Sequence, residues 1–388
     1  MAIDALELSK KLIERPSITP LDAGALDVLQ EALESLGFAC SRMIFSEDGH
    51  DDVDNLYARL GDGSPNVCFA GHTDVVPTGD LSSWTSDPFK PEIRDDILYG
   101  RGVVDMKCAI ACFASAVAEY IENNKPQGSI SFLITGDEEG IAVNGTKKML
   151  KALEEKGEKI DACVVGEPTN PEILGQMIKI GRRGSVSFKL EIFGQQGHVA
   201  YPNLADNPVS RITRILHALD THELDKGTDY FQPSNLEIIS IDVGNTASNV
   251  IPAMASAVFN IRFNDRHKSS TLIKWIEGIC ESICETGDAK YKLTSRVSGE
   301  AFLTEPGKLS KILSDAAKEV TGLEPELSTS GGTSDARFIK DYCPVVEFGL
   351  MNKTAHKIDE CAPVASIYGL KDVYLKFLEK YFKSTVSL

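Results

Sequence analysis

Short apolar runs recur along the chain, and five of them end just before residues with metal-binding side chains. Apolar runs of about four to eight residues bounded by turn residues are typical of buried strands. The runs and the residues after them are 67–70 before His72 and Asp74, 98–104 before Asp105, 130–135 before Glu138 and Glu139, 162–165 before Glu167, and 344–348 before His356. In an open α/β sheet, sites form beyond the carboxyl ends of the strands. The pattern therefore predicts an α/β fold with a metal site at that edge of the sheet.

Between these runs, leucine, isoleucine and valine recur at helical spacing, which predicts helices that alternate with the strands. The predicted helices are 3–14, 22–36, 105–118, 144–156, 208–219, 272–285 and 309–320. The further predicted strands are 38–45, 55–60, 184–193, 236–243 and 253–262, with an acidic loop at 47–54. Asp105 would lie at the N-terminus of its helix, where the positive end of the helix dipole favours a carboxylate.

The pattern changes near residue 182. Residues 184–193 read GSVSFKLEIF, an alternation that predicts a strand with one exposed face. The segment that follows has the order strand, helix, strand, strand, helix, strand, and it lacks carboxylate clusters at its strand ends. From about residue 298 the first pattern resumes and supplies His356. We therefore predict a discontinuous catalytic domain, 1–183 with 298–388, and an inserted α+β domain at 184–297.

Charge and composition exclude several classes of partner. The 388 residues carry a net charge of −17, which argues against nucleic acid and anionic membranes but leaves an anionic small molecule open. No run approaches the roughly 20 apolar residues of a membrane span. Residues 1–12 lack the basic start and apolar core of a signal peptide, so we expect a cytoplasmic protein. The nine cysteines show no metal-type pairing, which favours buried thiols in a reducing compartment.

The residues that follow the strands have the chemistry of a two-metal site. Imidazole and carboxylate donors suit zinc, and also cobalt or manganese. The candidate ligands are His72, Asp105, Glu139, Glu167 and His356. These are too many for one catalytic zinc with an open position, but they fit two metals about 3.5 Å apart if one carboxylate is shared. Asp105, central in the order of the strands, is the natural bridge.

Asp74 and Glu138 are candidates for supporting roles. Asp74 follows His72 by two residues and can orient the histidine. Glu138 stands beside the ligand Glu139, and a free carboxylate next to the attacking water is what a general base requires. Taken singly, His72 and Asp74 also fit an ordinary loop, and an acidic pair fits a solvated surface. A protein that only binds a metal or an amino acid needs no such base, so Glu138 favours an enzyme.

Together, the motifs resemble those of a known family. GHTDVVP at 71–77, GRGVVDMK at 100–107, GDEEG at 136–140, VGEPT at 165–169 and the late His356 are similar to motifs of the di-zinc amidohydrolases related to aminoacylases and dimeric carboxypeptidases. Further likeness lies in GRRGS at 181–185, GHVAYP at 197–202, SNVIP at 248–252 and GGTSD at 331–335. The resemblance implies a zinc-hydrolase domain with a mixed sheet flanked by helices, an inserted dimerisation (lid) domain, and hydrolysis of a linear amide. It leaves open which deacylase or metallopeptidase of the family this is.

The resemblance also implies how the metals are held and where the proton goes. His72 and Glu167 would bind one zinc, and Glu139 and His356 the other, with Asp105 bridging the two; cobalt could replace zinc. In the family, the counterpart of Glu138 takes a proton from the attacking water and delivers it to the leaving amine. The counterpart of Asp74 orients and polarises the histidine that precedes it.

Residues outside the metal ligands receive roles from the resemblance as well. His198 would reach the active site of the other subunit of a homodimer and stabilise the oxyanion. Without the resemblance, a surface-loop histidine would be the better interpretation. The implied substrate contacts are Arg182, Ser185, Asn249, Arg262, Thr333 and Asn352. Guanidinium and hydroxyl groups suit a substrate with several carboxylates, although Arg182 and Arg183 also fit a solvated hinge.

Overall fold

The computed structural model describes residues 2–284 and 290–384. In this part of the chain the α-helices are α1 (Ala5–Ile13), α2 (Ala25–Ser35), α3 (Cys108–Asn123), α4 (Thr146–Glu155), α5 (Pro208–Asp220), α6 (Ser269–Cys284), α7 (Lys308–Thr321), α8 (Ala336–Ile339) and α9 (Val364–Lys383). Short 3-10 helices lie at Leu81–Ser83, Pro202–Leu204 and Asn352–Thr354.

The strands of the same residues run from β1 to β19. They are β1 (Ala39–Glu47), β2 (His50–Leu60), β3 (Asn66–His72), β4 (Glu92–Arg94), β5 (Ile97–Tyr99), β6 (Ser129–Thr135), β7 (Ala162–Val165), β8 (Met177–Lys179), β9 (Gly181–Arg182), β10 (Gly184–Phe193), β11 (Gly197–His198), β12 (Asn235–Asp242), β13 (Val250–Ile251), β14 (Met254–Phe263), β15 (Lys290–Gly299), β16 (Phe302–Leu303), β17 (Glu326–Ser328), β18 (Val345–Glu347) and β19 (Cys361–Pro363).

The chain divides into two compact units. The first unit comprises Met1–Ile180, Thr304–Ser328 and Ser334–Leu388, and the second comprises Gly181–Leu303 with Thr329–Thr333. The sequence pattern places the change between residues 183 and 184 and between 297 and 298. In the structure the second unit also includes the strand pair β9–β16, which joins Arg182 to Phe302 and Gly181 to Leu303.

The first unit is built on a mixed sheet with the strand order β1-β2-β6-β3-β7-β18-β8-β17. Its central strands are parallel: β3 pairs with β6 and with β7, and β7 pairs with β18. β3 and β6 are buried at every position, so apolar residues follow one another without alternation at 67–70 and at 132–134, and the polar residues of β6 are buried as well. The predicted α/β fold with a mixed sheet is therefore confirmed.

Aromatic packing joins this sheet to its helices. Phe69 of β3 stacks on Phe113 of α3 with ring centres 4.6 Å apart. Tyr374 of α9 packs edge-on against both rings, at 5.7 and 5.4 Å. Because β3 lies between a parallel neighbour on each side and is covered by these rings, the residue at its end, His72, is held on a rigid element.

The chain segment that precedes Asp105 differs from its predicted structure. The strand predicted at 98–104 covers only Ile97–Tyr99, and it belongs to a small separate sheet, β19-β5-β4, rather than to the central sheet. Gly102 has a φ of +86°, and an irregular helical turn follows at Val103–Lys107. Asp105 lies within that turn with φ −119° and ψ 95°, so the predicted position at the N-terminus of a regular helix is wrong, and α3 begins three residues later, at Cys108. Left-handed glycines interrupt the strand, which its apolar composition does not reveal.

The prediction of an acidic loop at 47–54 is also wrong, because most of these residues belong to strands. β1 and β2 form a hairpin in which Glu47 pairs with His50, so the turn consists of Asp48 and Gly49 alone. Gly49 has a φ of +82°. An Asp-Gly dipeptide between two strands is a strong signal of a hairpin. The loop prediction rests on the acidic composition of the region, which does not reveal this turn.

The second unit contains an antiparallel sheet with the strand order β12-β14-β10-β15. Along β10 the residues Val186, Phe188, Leu190 and Ile192 are buried, and they form one core with α5 and α6. The main elements follow the predicted order of strand, helix, strand, strand, helix, strand. Helix α6 covers most of the predicted helix 272–285, and Glu285 lies outside the described residues.

Two further sequence expectations concern membranes and thiols. Among the described residues, no helix combines the length and apolarity needed to cross a bilayer. Seven of the nine cysteines are buried, and Cys40 and Cys361 are partly exposed.

Candidate metal centre

All five predicted metal ligands lie in the first unit, and each comes from a loop or strand end at the same edge of its fold. His72 is the last residue of β3, Glu139 follows β6, and Glu167 follows β7. Asp105 lies in the irregular turn before α3, and His356 lies in the loop between Asn352–Thr354 and β19. His356 has a φ of +63°, a left-handed conformation that few residues other than glycine adopt.

The ligand atoms of these residues form two groups that share one carboxylate. In each group the atoms lie within 4.8 Å of one another; the groups are His72 with Asp105 and Glu167, and Asp105 with Glu139 and His356. Asp105 Oδ1 is 3.1 Å from His72 Nε2, and its Oδ2 is 3.1 Å from His356 Nε2. Each oxygen of Asp105 thus faces a different imidazole, which is the arrangement needed to bridge two cations.

The outer ligands complete each group. His72 Nε2 lies 3.7 Å from Glu167 Oε1, and His356 Nε2 lies 2.9 Å from Glu139 Oε1. Neither group contains a cysteine. Nitrogen and oxygen donors at these separations fit zinc, cobalt or manganese.

The charges of this cluster favour cations strongly. Although burial opposes ionisation of Asp105, hydrogen bonds from His356 and His72 hold its pKa well below the usual value. The same contact with Asp105, together with that to Glu139, raises the pKa of His356 to about 10. The neighbouring carboxylates thus favour protons on both imidazoles. A metal must displace these protons to reach the nitrogen atoms, so its binding releases protons.

Asp74 supports the site in two ways. Its backbone carbonyl oxygen is 2.9 Å from His72 Nδ1, whereas its nearest carboxylate oxygen is 3.6 Å away. The carboxylate instead accepts hydrogen bonds from the backbone N–H groups of Glu138, at 3.2 Å, and Glu139, at 3.0 Å. Burial raises the pKa of Asp74 to about 6. Asp74 therefore holds the ring of His72 through its main chain and the Glu138–Glu139 turn through its side chain.

Glu138 is half-buried at the start of that turn. Burial and the charge of Glu167 raise its pKa well above that of an ordinary glutamate. A carboxylate whose pKa is raised holds a proton more readily, which suits a group that must accept a proton and return it. Bound cations would act in the opposite direction and stabilise its ionised form.

The other predicted site residues have different surroundings. His198 is exposed in the short pair β11–β13, and its Nδ1 accepts a hydrogen bond from Ala200 N at 3.0 Å. Asn249 is exposed beside it, with its backbone oxygen accepting from Val199 N at 3.1 Å. Both belong to the second unit.

The remaining predicted substrate contacts divide between the units. Arg182 is buried in the second unit and donates to Gly332 O at 3.0 Å, next to Thr333. Ser185 and Arg262 of the same unit are direct partners across β10 and β14. Asn352 is exposed in the first unit, where its backbone N–H donates to Asn170 O at 2.9 Å.

One buried pair near the ligands is absent from the predicted residues. Glu360 and Arg101 form an ion pair at 2.8 Å with side chains only 1% and 3% exposed. The sequence feature that could have indicated Glu360 is its position four residues after the candidate ligand His356. In a polar stretch, such a residue is more often a surface acid.

Comparisons with known proteins agree with these features. Residues 68–380 match the family described as Peptidase family M20/M25/M40. A succinyl-diaminopimelate desuccinylase of Parvibaculum lavamentivorans is 56% identical over 384 residues, covering 99% of this chain and 97% of the relative. One of Rhodospirillum centenum is 58% identical over 383 residues, covering 98% of each.

Solved structures with low sequence identity share the fold. An M20 family metallo-carboxypeptidase from Sulfolobus solfataricus has a TM-score of 0.79 at 19% identity, covering 98% of this chain and 99% of its own. A dinuclear metal-binding peptidase of the M20 family, the YXEP protein of Bacillus subtilis, has a TM-score of 0.71 at 17% identity, covering 98% of each chain.

Proposed function

The chain belongs to peptidase family M20/M25/M40, and from this premise we propose that it hydrolyses N-succinyl-LL-2,6-diaminopimelate to succinate and LL-2,6-diaminopimelate. The observation that carries the substrate is the 56% identity, over 99% of this chain, to a relative named succinyl-diaminopimelate desuccinylase. The family resemblance of the motifs is confirmed, and the desuccinylase relatives add a narrower likeness within the family. The reaction is the hydrolysis of a linear amide in lysine and diaminopimelate biosynthesis.

Two divalent cations per protomer are the proposed cofactors. His72 and Glu167 would hold one cation, Glu139 and His356 the other, and Asp105 both; the support is the pair of ligand groups that share Asp105. When bound, the cations would polarise the scissile carbonyl and lower the pKa of the attacking water. We propose zinc as the natural metal and cobalt as a replacement, since the imidazole and carboxylate donors suit both.

Glu138 is the proposed general base and acid. It accepts a proton from the attacking water and delivers it to the amine that leaves when the C–N bond breaks. The support is its place beside Glu139, together with the hydrogen bond of its backbone N–H to Asp74, which orients the turn. Asp74 positions both this turn and His72.

A homodimer assembled through the second unit is part of the proposal. β12 is an edge strand of its sheet, and Ile239 and Ile241 on that strand are exposed. An exposed edge strand with apolar side chains favours pairing with another chain. In the dimer, His198 of one protomer donates a hydrogen bond to the oxyanion that forms in the site of its partner.

The substrate carboxylates are assigned to arginine, hydroxyl and amide groups. Arg262 is half-buried, and burial and the neighbouring charge of Arg183 lower its pKa. A guanidinium that is partly desolvated beside a second one favours an anion in its vicinity. The proposed contacts are Arg182, Ser185, Asn249, Arg262, Thr333 and Asn352.

The experiment that tests the substrate compares two acyl groups. Purified protein loaded with zinc is assayed with N-succinyl-LL-2,6-diaminopimelate and with its N-acetyl analogue. Glu138→Gln protein, purified and loaded in the same way, serves as the blank. We expect a kcat/KM for the succinylated compound at least 10-fold above that for the acetylated one. A preference for N-acetylornithine or for dipeptides would assign the chain to another deacylase or to the peptidases of the family.

A cytoplasmic location follows from the proposed pathway, because succinyl-diaminopimelate is an intermediate of amino-acid biosynthesis. Fractionation of cells that express the protein, followed by the same assay on each fraction, tests this location.

A further inference from the structure

Glu360 is buried with both of its carboxylate oxygens fully used. Oε2 accepts hydrogen bonds from Arg101 Nη1, at 2.8 Å, and from Gly102 N, at 3.1 Å. Oε1 accepts from Val104 N, at 2.7 Å, and from Asp105 N, at 3.1 Å. Four donors on one buried carboxylate are more than its own burial requires, and three of them are the backbone of the segment that carries the bridging ligand.

That segment lacks the hydrogen bonds of a regular helix. Gly102 is left-handed, and Asp105 has φ and ψ values outside the helical range. Buried backbone N–H groups need acceptors, and a carboxylate supplies stronger ones than a neutral oxygen. By fixing the N–H of Asp105, Glu360 fixes the direction of the Asp105 side chain, whose two oxygens must face His72 and His356.

Arg101 extends the same contact to the other ligand loops. Its Nη1 also donates to Lys357 O at 3.2 Å, directly after His356, and its Nη2 lies 3.4 Å from Pro77 O, in the loop that follows His72. Its guanidinium lies over the ring of Trp84 at 5.1 Å. The pair therefore joins the chain segments that carry three of the five ligands.

The loop that carries His356 needs such support. His356 and Asp359 have φ values of +63° and +55°, left-handed conformations that cost free energy in a residue other than glycine. Such conformations persist only where the surroundings hold them. Glu360 ends this loop, and its own backbone oxygen accepts from Gly100 N at 3.0 Å.

From these contacts we propose that Glu360, paired with Arg101, is a positioning residue that sets the affinity of the dinuclear centre, and most of all that of the group Asp105, Glu139 and His356. Glu360 itself holds the segments of two of those three ligands, Asp105 and His356, whereas in the group with His72 and Glu167 it holds only that of Asp105. The loop after His72 is reached through Arg101 alone, by the longer contact of 3.4 Å to Pro77 O. The inference rests on the two-metal site of the proposed function, but it does not depend on the substrate.

The test measures metal binding rather than activity. Protein stripped by a chelator is titrated with zinc against a chromophoric competitor, and thermal unfolding of the metal-free protein is followed in parallel. For Glu360→Gln we expect one of the two binding steps to weaken by about 10- to 100-fold, the usual effect of altering the partner of a metal ligand. His356→Ala identifies this step, because it should abolish the same one.

Two variants separate positioning from loss of folding. Glu360→Gln leaves the Arg101 charge without its partner, so the double variant R101M/E360M removes both buried charges and should weaken the same step at least as much. Glu347→Gln is the matched control: Glu347 is an equally buried carboxylate of the first unit that accepts from Ser334 Oγ at 2.8 Å and should leave both steps unchanged.

The outcomes decide between the inference and its premise. If wild-type protein takes up two metals and folded R101M/E360M takes up both with wild-type affinity, the positioning role is wrong while the proposed function stands. If wild-type protein takes up no metal, both fail together. Equal weakening of both steps would also overturn the inference, since it predicts that the His356 step suffers more.

Discussion

The two units use sheets of different kinds, and the difference decides what each can do. In the first unit the central strands are parallel and buried throughout, and His72, Glu139 and Glu167 stand where three of them end. In the second unit the sheet is antiparallel, with one face packed on α5 and α6. A strand buried on both sides can hold a ligand rigidly. A sheet covered on one side keeps polar and edge positions available for a substrate or for another chain.

The strongest test of this division removes the base from the first unit. We expect Glu138→Gln to lower kcat by about 10²- to 10⁴-fold, because the amide cannot accept the proton of the attacking water. Metal content measured by atomic emission should stay at the wild-type value, since Glu138 is not among the five ligands. Glu155→Gln, an exposed position on α4 of the same unit, should leave kcat unchanged. Near wild-type turnover by Glu138→Gln would remove the assignment.

A second test asks whether chemistry also depends on the second unit. His198→Ala should lower kcat by about 10²- to 10³-fold, the usual effect of losing one oxyanion donor, with metal content unchanged. His217→Ala, an exposed histidine on α5, is the control. Mixed dimers of His198→Ala and Glu138→Gln subunits should regain activity, because one site then receives both groups. Mixed dimers as inactive as both parents would show that His198 acts in its own subunit or not at all.

Adding zinc to metal-free protein should stabilise the first unit against unfolding and leave the stability of the second unit unchanged. Zinc at a free concentration of 100 times its Kd stabilises the folded state that binds it by about 2.7 kcal/mol. Amide hydrogen exchange in β3, β6 and the loop of His356 should therefore slow when zinc is added. Zinc should not change amide hydrogen exchange in β10, β14, α5 and α6, because these elements of the second unit hold none of the candidate ligands. Equal slowing in both units would contradict a metal centre confined to the first.

The smallest change in folding stability is expected at the two sheet edges, which differ in their predicted role. Ile241 of β12 and Ile44 of β1 are 57% and 65% exposed on edge strands of the two sheets. A lysine at either exposed position should alter the free energy of unfolding by no more than about 0.5 kcal/mol. By light scattering, Ile241→Lys should shift the protein to monomers while Ile44→Lys stays dimeric. The reverse result would place the dimer contact on the first unit.

Local sequence patterns determined a large part of this protein. Parallel strands buried on both sides are largely apolar, so the positions of β3, β6 and β7, and of the candidate ligands after them, could be predicted from the sequence. The antiparallel β10 follows from its alternation. The chemistry of a metal centre also depends on residue type, so the five candidate ligands and Glu138 could be proposed without coordinates.

The tertiary structure decided what depends on contacts between distant parts of the chain. Left-handed glycines end the strand before Asp105 and place this residue, the proposed bridging ligand, in an irregular turn. The carboxylate of Asp74 reaches two N–H groups more than 60 residues away rather than the neighbouring histidine. Glu360 meets a segment 255 to 259 residues earlier. Residue type and spacing indicate which groups can bind a metal, but the hydrogen bonds that hold those groups join segments whose proximity exists only in the folded chain.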